Sequence, residues 1–244
     1  MEDQKLQELQ TLISQSSNIV FFGGAGVSTE SNIPDFRSDN GIYRAKTKYG
    51  YSPEIILSHS FFIRHTAKFY DYYRHQMIYK DAKPNQAHLV LAELEQAGKL
   101  KAVITQNIDG LHQLAGSRNV LELHGSIHRN ICMKCGQNYD LGDIINSTGV
   151  PKCSQCGGII KPDVVLYEEM LNEDTLDKAV RYIRNADVLI VGGTSLAVYP
   201  AAGLMEYYRG DKLVLINKSA TSYDERANIT IHDSIGKVLR EAVG

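Results

Sequence analysis

The sequence has no apolar run near the roughly 18 residues that a membrane-spanning helix needs. Residues 1–15 also lack the basic start and apolar stretch of a signal peptide. Positive charge is not in excess, because 26 basic and 28 acidic residues give a formal net charge of −2. A protein built mainly to coat nucleic acid is normally strongly basic. We therefore expect a cytoplasmic protein that binds neither membranes nor nucleic acid.

Cysteine is scarce, with four among 244 residues. A chain of this length can bury well over half of its unfolded surface, so it needs no disulfides to fold. All four cysteines lie within 128–160, as the pairs Cys132-x-x-Cys135 and Cys153-x-x-Cys156, separated by 17 residues. This spacing is typical of a zinc ribbon, in which four thiolates surround one structural ion.

Two alternatives to a zinc site are four unrelated free cysteines and two disulfides. A reducing cytoplasm disfavours the disulfides, and two such pairs in one short stretch are improbable by chance. His124 and His128 lie nearby, but four thiolates complete the coordination of zinc without them.

Hydrophobic residues, 43% of the chain, fall into short segments of two kinds. Continuous apolar runs predict buried strands at 18–22, 102–105, 120–123, 187–191, 212–216 and 229–231. Helical spacing predicts helices over 3–16, 59–80, 84–96, 171–185 and 199–209 and at the C-terminus. Residues 30–58 are irregular and predict a mobile loop. This alternation indicates an α/β fold with a parallel sheet covered by helices on both faces.

Two strands lead into glycine-rich loops. Gly24 and Gly26 follow the first strand and resemble a phosphate-binding turn. However, Thr29 occupies the place of the usual third glycine, and no acidic residue ends a strand about 20 residues later, so a simple tight turn remains an alternative. A second loop, 192–195, follows another strand, and Asn217 ends the strand after it. Two such units facing each other would hold a dinucleotide.

Polar side chains follow two further strands. Gln106, Asn107 and Asp109 come after the strand at 102–105, and His124 comes directly after the strand at 120–123. The carboxyl ends of parallel strands form a common ligand crevice, so we expect these residues to converge, with a neutral His124 as general base. The alternatives are a core histidine for His124 and a helix N-cap before Gly110 for Asp109.

Several motifs together resemble the sirtuin family of NAD-dependent protein lysine deacylases. They run in family order over about residues 18–235: Gly24-Ala-Gly26-Val-Ser28, Ile33-Pro-Asp-Phe-Arg37, Thr105-Gln-Asn-Ile-Asp109, Leu123-His-Gly125, the paired Cys-x-x-Cys, Lys161-Pro-Asp-Val-Val165 and Gly193-Thr-Ser-Leu196. The length is similar to that of a bacterial-type sirtuin without terminal extensions.

The resemblance implies a Rossmann-like NAD-binding domain formed by 1–30, 81–127 and 161–244. It also implies a small domain, formed by a cofactor loop and helical insert over 31–80 and a zinc-binding module over 128–160. NAD and acetyl-lysine would enter the cleft between the domains from opposite sides. The products would be free lysine, nicotinamide and O-acetyl-ADP-ribose.

The resemblance also implies roles for individual residues. His124 would act as general base, with Gln106 and Asn107 as its catalytic neighbours. The NAD contacts would come from Gly24, Ala25, Gly26, Thr29, Phe36, Arg37, Gln106, Ile108, Asp109, Gly193, Thr194, Ser195, Asn217 and Ile235. In this set Ile108 and Asp109 would hold nicotinamide, and Asn217 and Ile235 would face the adenosine half. The substrate backbone would pair with Val164, Val165 and Tyr167.

The sequence departs from the sirtuin pattern in three places. Gly23 replaces a common threonine, a change we expect to be tolerated. Glu168 replaces a glycine beside the expected peptide strand, which would favour basic residues around the acyl-lysine. Members that remove succinyl or malonyl groups carry a Tyr-x-x-Arg pair, whereas here Tyr70 is followed by Tyr73, with Arg74 one position late. We therefore expect a preference for uncharged acyl groups.

Other functions remain alternatives at this point. The family also includes ADP-ribosyltransferases and deacylases for other acyl groups. A conventional NAD dehydrogenase would share the glycine-rich loop, and a zinc-ribbon nucleic-acid binder would share the cysteines, although the net charge of −2 weighs against it. We expect acetylated proteins as substrates and a monomer as the default state.

Overall fold

The computed structural model describes residues 2–35 and 49–244 of the chain. Phe36 and Arg37, predicted to contact the cofactor, and with them residues 36–48 of the predicted loop over 30–58, lie outside the described residues.

The described part of the chain contains nine strands. They are β1 (Ile19–Gly23), β2 (Leu100–Thr105), β3 (Val120–Glu122), β4 (Gly125–Cys132), β5 (Asn138–Tyr139), β6 (Ile160–Val164), β7 (Val188–Gly192), β8 (Leu213–Ile216) and β9 (Ile229–Ile231). Six of them form a parallel sheet in the order β3-β2-β1-β7-β8-β9, and β5-β4-β6 form a small antiparallel sheet.

The strand order of the large sheet reverses at β1. Strands β2 and β3 lie on one side of β1, and β7, β8 and β9 lie on the other. Every residue of β1 and of β7 is buried, as their continuous apolar runs predict. In doubly wound sheets, ligands bind at the carboxyl ends of the strands where the order reverses. The topology therefore places the first candidate crevice after Gly23 and Gly192.

Nine α-helices and three 3₁₀ helices accompany the strands over the described residues. The α-helices are α1 (Glu2–Gln15), α2 (Pro53–Ile56), α3 (His59–Arg64), α4 (Thr66–Gln76), α5 (Gln86–Gln96), α6 (Leu111–Leu114), α7 (Leu141–Asn146), α8 (Glu173–Asn185) and α9 (Ile235–Val243). The 3₁₀ helices are Ala25–Ser31, Ala201–Tyr207 and Asp224–Arg226.

Helices cover both faces of the large sheet. Phe21 of β1 packs in one apolar cluster with residues of α1, α5 and α9. Phe22, the next residue, packs in a second cluster with Ile183 of α8 and Leu204 of the second 3₁₀ helix. Successive strand residues point to opposite faces, so this division means that each face has its own core. The predicted α/β architecture is confirmed.

Several helices begin at other residues than predicted, because the N-cap residue determines where a helix starts. The predicted helix over 84–96 begins at Gln86, since the Asn85 side chain accepts a hydrogen bond from the Ala87 N–H and forms a capping box with His88. The helix predicted from 171 begins at Glu173, after the Asn172 cap. The prediction of an irregular 30–58 is wrong at 53–56, where Pro53 opens the short helix α2.

A separate apolar cluster surrounds the small sheet. It joins residues of α2, α3 and α4 to β4, α7 and β6, with Phe62, Phe69, Tyr70 and Tyr73 fully buried. The apolar-run criterion missed β4 and β6 because polar and charged residues interrupt the apolar ones in both strands. Both also cross the predicted limits of the zinc-binding module at 128 and 160.

Over residues 2–35 and 49–244, no helix combines the length and apolar character needed to cross a bilayer.

Candidate active site and metal site

The loops that follow β1 and β7 lie directly against each other. The Gly24 N–H donates to the Gly192 carbonyl at 3.3 Å, and the Gly26 N–H donates to the Gly193 carbonyl at 2.8 Å. A Cβ atom on Gly26 would lie 2.8 Å from Gly193 Cα, so a side chain there would force the loops apart. Glycine at these positions therefore permits the close approach of the neighbouring loop. The phosphate-binding role of Gly24 and Gly26 stays a prediction.

Gln106 links the ends of three strands. Its backbone N–H donates to the Gly23 carbonyl at 3.0 Å, and its side-chain Nε2 donates to Thr194 Oγ1 at 3.1 Å. The same Thr194 oxygen accepts a hydrogen bond from the Leu196 N–H at 3.2 Å. These contacts bring the predicted residues Gln106 and Thr194 together at the switch point.

His124 is held through its backbone and its ring. Its Nδ1 lies 3.0 Å from the Gln106 carbonyl oxygen, and its own carbonyl accepts a hydrogen bond from the Val165 N–H at 3.0 Å. A carbonyl can only accept, so Nδ1 carries the proton and Nε2 keeps its lone pair. Burial lowers the pKa of His124, opposed by the bond to Gln106. The ring is therefore neutral near pH 7, as a general base must be.

Asn107, Ser28 and Asp109 form a hydrogen-bonded chain. Asn107 Nδ2 donates to Ser28 Oγ at 3.0 Å, and Ser28 Oγ donates to Asp109 Oδ2 at 2.7 Å. Burial raises the pKa of Asp109, and hydrogen bonds from Leu111 and Ser28 oppose the rise. The Leu111 N–H donates to Asp109 Oδ1 at 2.9 Å, so the carboxylate also bonds to the first turn of α6, whose N-cap residue is Gly110. The contact of Asp109 with the cofactor stays a prediction.

Ser28 was not among the predicted site residues. It is 1% exposed and stands between two predicted ones. The sequence feature that could have identified Ser28 as a site residue is its place in the Gly24–Ser28 motif. Its role was not visible in the sequence because its partner Asp109 is 81 residues away.

The remaining predicted cofactor residues lie in or just after the two glycine-rich loops, directly after β8 and at the start of α9. Thr29 Oγ1 donates to the Gly26 carbonyl at 2.9 Å, and Asn217 Nδ2 donates to the Ser219 carbonyl at 2.8 Å. Ala25 is half-buried and Ser195 is exposed. The Ile235 side chain lies in the core, where a side chain on Gly192 would overlap it. Any contact of Ile235 with a ligand would therefore involve its backbone.

The segment after β6 connects the crevice to the helical insert. The Tyr167 N–H donates to the Leu57 carbonyl, and the His59 N–H donates to the Tyr167 carbonyl, each at 2.9 Å. Glu168 adopts a left-handed φ of 76°. Its carboxylate accepts hydrogen bonds from Ser60 N at 2.8 Å and Ser60 Oγ at 3.0 Å. The charge expected to face the peptide is therefore anchored to the first turn of α3.

The four cysteines form one compact cluster. Their sulfur atoms all lie within 4.8 Å of one another, with Cys132–Cys156 at 3.5 Å and Cys135–Cys153 at 3.6 Å. Four sulfurs about 2.3 Å from a tetrahedral zinc ion would be about 3.8 Å apart, which this cluster matches. The hydrogen bond from Tyr139 lowers the pKa of the Cys153 thiol to about 6. The cluster fits one zinc ion held by thiolates, as predicted, and neither His124 nor His128 belongs to it.

Comparisons with known proteins agree with this geometry. A family model described as the Sir2 family matches residues 24–200. The NAD-dependent protein deacetylase of Clostridium acetobutylicum is 63% identical, covering 98% of this chain and 98% of that relative. The enzyme of the same description from Clostridium tetani is 66% identical, covering 96% of this chain and 95% of that relative.

Solved structures show the same fold. A complex described as Sir2–p53 peptide–NAD+ superposes with a TM-score of 0.85 at 37% identity, covering 96% of this chain and 95% of that one. A Sir2 histidine-to-alanine variant with deacetylated p53 peptide and 3′-O-acetyl ADP-ribose gives a TM-score of 0.89 at 38% identity, covering 97% of this chain and 96% of that one.

Replacing a cysteine should remove the metal. We expect Cys153→Ser to lose its one equivalent of zinc and to unfold at a lower temperature, because a structural ion contributes directly to folding. Metal analysis and thermal melting measure both effects. Lys152→Ala, a change at the adjacent exposed residue, should keep metal and stability. A metal-free Cys153→Ser protein with the melting temperature of the wild type would contradict the zinc site.

Removing the Ser28 hydroxyl should destabilise the protein in a pH-dependent way. The folded-state pKa of Asp109 is already raised by burial, and Ser28→Ala removes a bond that opposes the rise. A folded pKa above the unfolded value lowers stability as pH increases through that range. We therefore expect a loss of about 1–2 kcal/mol that is larger near pH 8 than near pH 5 in denaturant titrations. An equal loss at both pH values would show that Ser28 does not act on Asp109.

Proposed function

The chain belongs to the Sir2 family, and from that membership we propose that it removes acetyl groups from protein lysine side chains with NAD as co-substrate. The products are nicotinamide, O-acetyl-ADP-ribose and free lysine. The observation that carries the proposal is the placement of a neutral His124 with an available Nε2 lone pair, fixed by the Gln106 carbonyl at the end of the sheet. A dehydrogenase would also bind a dinucleotide, but it would form NADH.

We place NAD across the two glycine-rich loops. Gly24, Ala25, Gly26 and Thr29 would hold one part of it, and Gly193, Thr194, Ser195, Asn217 and the Ile235 backbone would hold the adenosine half. When bound, NAD supplies a ribose carbon that becomes electrophilic as nicotinamide leaves. Phe36 and Arg37, also predicted to contact NAD, lie outside the described residues.

Asp109 suits an amide ligand such as nicotinamide. A carboxylate offers about four acceptor sites, and the bonds from Leu111 and Ser28 occupy two of them. Acceptor sites therefore remain for an amide N–H. Ile108 lies beside Asp109 and is partly buried against the cluster of the small sheet, which suits contact with an aromatic ring.

His124 would take the proton that leaves a ribose hydroxyl. Nε2 receives it, and the Nδ1–H bond to the Gln106 carbonyl holds the ring while it becomes charged. Gln106 and Asn107 keep the neighbouring backbone in place through Thr194 and Ser28. A buried site also excludes the water that would hydrolyse NAD unproductively.

The substrate backbone would pair at Val165. The N–H and C=O groups of Tyr167 already bond to Leu57 and His59, and Val164 belongs to β6, paired with Gly125. Val165 lies between them, and its N–H already donates to the His124 carbonyl, so its C=O is the group that would pair with a peptide N–H. An extended peptide added beside Val165 would bring its acyl-lysine close to the base, in a known mode of strand addition. Val164 and Tyr167 would then flank the substrate.

The division into two domains has support in the packing. The small-sheet cluster draws almost all its members from 31–80 and 128–160, whereas the two clusters of the large sheet draw theirs from the other segments. We propose that the small domain reaches 125 and 164, the ends of β4 and β6. We also propose that the enzyme acts on acetylated proteins as a monomer.

The acyl pocket would suit uncharged groups. Arg74 points toward α7, where Nε donates to the Ile144 carbonyl at 2.9 Å and Nη2 donates to Ser147 Oγ at 2.7 Å. Tyr70 donates its hydroxyl to the Ile160 carbonyl. Tyr73 is fully buried, and burial raises its pKa, so it stays neutral. An acidic acyl chain would need the tyrosine hydroxyl and the arginine of a Tyr-x-x-Arg pair. Here the Tyr70 hydroxyl is bonded to a backbone carbonyl, Tyr73 occupies the arginine position, and Arg74 bonds to α7.

A comparison of acyl peptides tests this preference. We expect kcat/KM for an acetyl peptide to exceed that for a succinyl peptide of the same sequence by at least about tenfold, because burying an unpaired carboxylate costs several kcal/mol. A butyryl peptide, similar in length but uncharged, controls for size. Equal or faster turnover of the succinyl peptide would contradict the assignment.

Removing the base should stop catalysis without unfolding the protein. We expect His124→Ala to lower the rate at which deacetylated peptide and O-acetyl-ADP-ribose form from NAD and acetyl peptide by about 10²–10⁴-fold, with wild-type zinc content and melting temperature. His75→Ala, at an exposed histidine, is the matched control. A His124→Ala variant of wild-type activity would remove this residue from the mechanism, and NADH formation would overturn the proposed reaction.

The pH profile provides a separate test of His124. Burial lowers its pKa below the ordinary histidine value of 6.5. Since the unprotonated ring is the active form, kcat should stay constant as pH falls to 6.5 and should decline only below it. A decline that begins well above 6.5 would show that the ring is protonated too easily to be the buried base.

A further inference from the structure

Tyr139 contacts the metal cluster from outside the ligand set. It lies in β5, which follows the first cysteine pair, and is paired with Asn130 of β4. Its hydroxyl oxygen lies 3.1 Å from Cys153 Sγ, 3.0 Å from Ser154 N and 3.2 Å from Ser154 Oγ. Tyr139 therefore joins the strand beside the first pair to the start of the second pair.

The direction of these hydrogen bonds is fixed by chemistry. The Ser154 N–H can only donate, so the phenol oxygen accepts from it. The phenol has one proton, and a thiolate sulfur can only accept. The Tyr139–Cys153 bond is therefore donated by the single proton of the phenol, and the Ser154 hydroxyl, which can donate or accept, then donates to the phenol oxygen.

Cys153 is one of the two buried cysteines of the cluster. It is 3% exposed and Cys132 is 1% exposed, whereas Cys135 is exposed and Cys156 half-buried. Water cannot readily replace a lost hydrogen-bond donor at a buried sulfur. A hydrogen bond to a charged sulfur is also stronger than one between neutral groups. The phenol thus neutralises part of the charge of one ligand at the place where solvent cannot.

We propose that Tyr139 is a positioning residue of the zinc site: its hydroxyl fixes the Cys153 thiolate and slows release of the metal. Outer contacts of this kind orient ligands and change metal affinity by 10- to 100-fold. The proposal requires that the cysteine cluster binds zinc. It does not depend on the deacetylation reaction, so its test measures metal release and the metal spectrum directly.

The test compares the full-length, zinc-loaded wild type with Tyr139→Phe, which removes only the hydroxyl. The rate of zinc release to an excess of a chromogenic chelator should rise by about tenfold in the variant. In the cobalt(II)-substituted protein, the sulfur-to-cobalt charge-transfer band should move to lower energy, because a thiolate without its donor gives up charge more easily. Merely looser packing would not shift this band in that direction.

Tyr182→Phe in α8 is the matched control, since it makes the same change remote from the cysteines, and it should behave as wild type. Protein in which 3-fluorotyrosine replaces tyrosine gives a second measurement that does not depend on the variant folding. Its phenols are stronger donors, so the cobalt band should move to higher energy. Unchanged zinc release and cobalt bands in Tyr139→Phe, or an unshifted band in the fluorinated protein, would overturn the proposal.

Discussion

The main-chain contact between the loops after β1 and β7 is the constraint on which the rest of the site depends. The bond from the Gly26 N–H to the Gly193 carbonyl brings two strand ends closer than any side chain would allow. Gln106 bonds to both loops, through the Gly23 carbonyl and Thr194. Its own carbonyl then holds the ring of His124. The orientation of the base is thus set by backbone groups of a buried sheet, which have little freedom to move.

The small sheet supports His124 from both directions along the chain. Strand β4 begins at Gly125, the residue after His124, and β6 ends at Val164, the residue before Val165. Gly125 pairs with Val164 at a φ of 77°, and a side chain on Gly125 would overlap the Asp163 backbone. The first cysteine pair begins at the last residue of β4 and the second pair precedes β6, so a metal bound there would fix the far ends of both strands. A structural ion can in this way support a reaction in which it takes no part.

Burial acts on two ionisable groups of the predicted crevice. It lowers the pKa of His124 and raises the pKa of Asp109. The same low polarity acts on both, with opposite sign because one acquires charge on protonation and the other loses it. Ser28 and Asn107 provide the hydrogen bonds that keep the carboxyl group in place.

The sequence by itself determined what depends on neighbouring residues. The spacing of Cys132, Cys135, Cys153 and Cys156 specified one zinc site, and the continuous apolar runs specified a buried parallel sheet, because both depend on periodicity along a short segment. The order of the motifs was specific enough to indicate the family.

Only the tertiary structure decided what depends on residues far apart in the chain. Ser28 meets Asp109 from 81 residues away, Arg74 turns to α7, Glu168 bonds to Ser60, and Tyr139 meets Cys153 across the two cysteine pairs. Each of these side chains could have faced solvent or a ligand. Which partner it meets is fixed by the packing of whole elements, and no local pattern of residues contains that information.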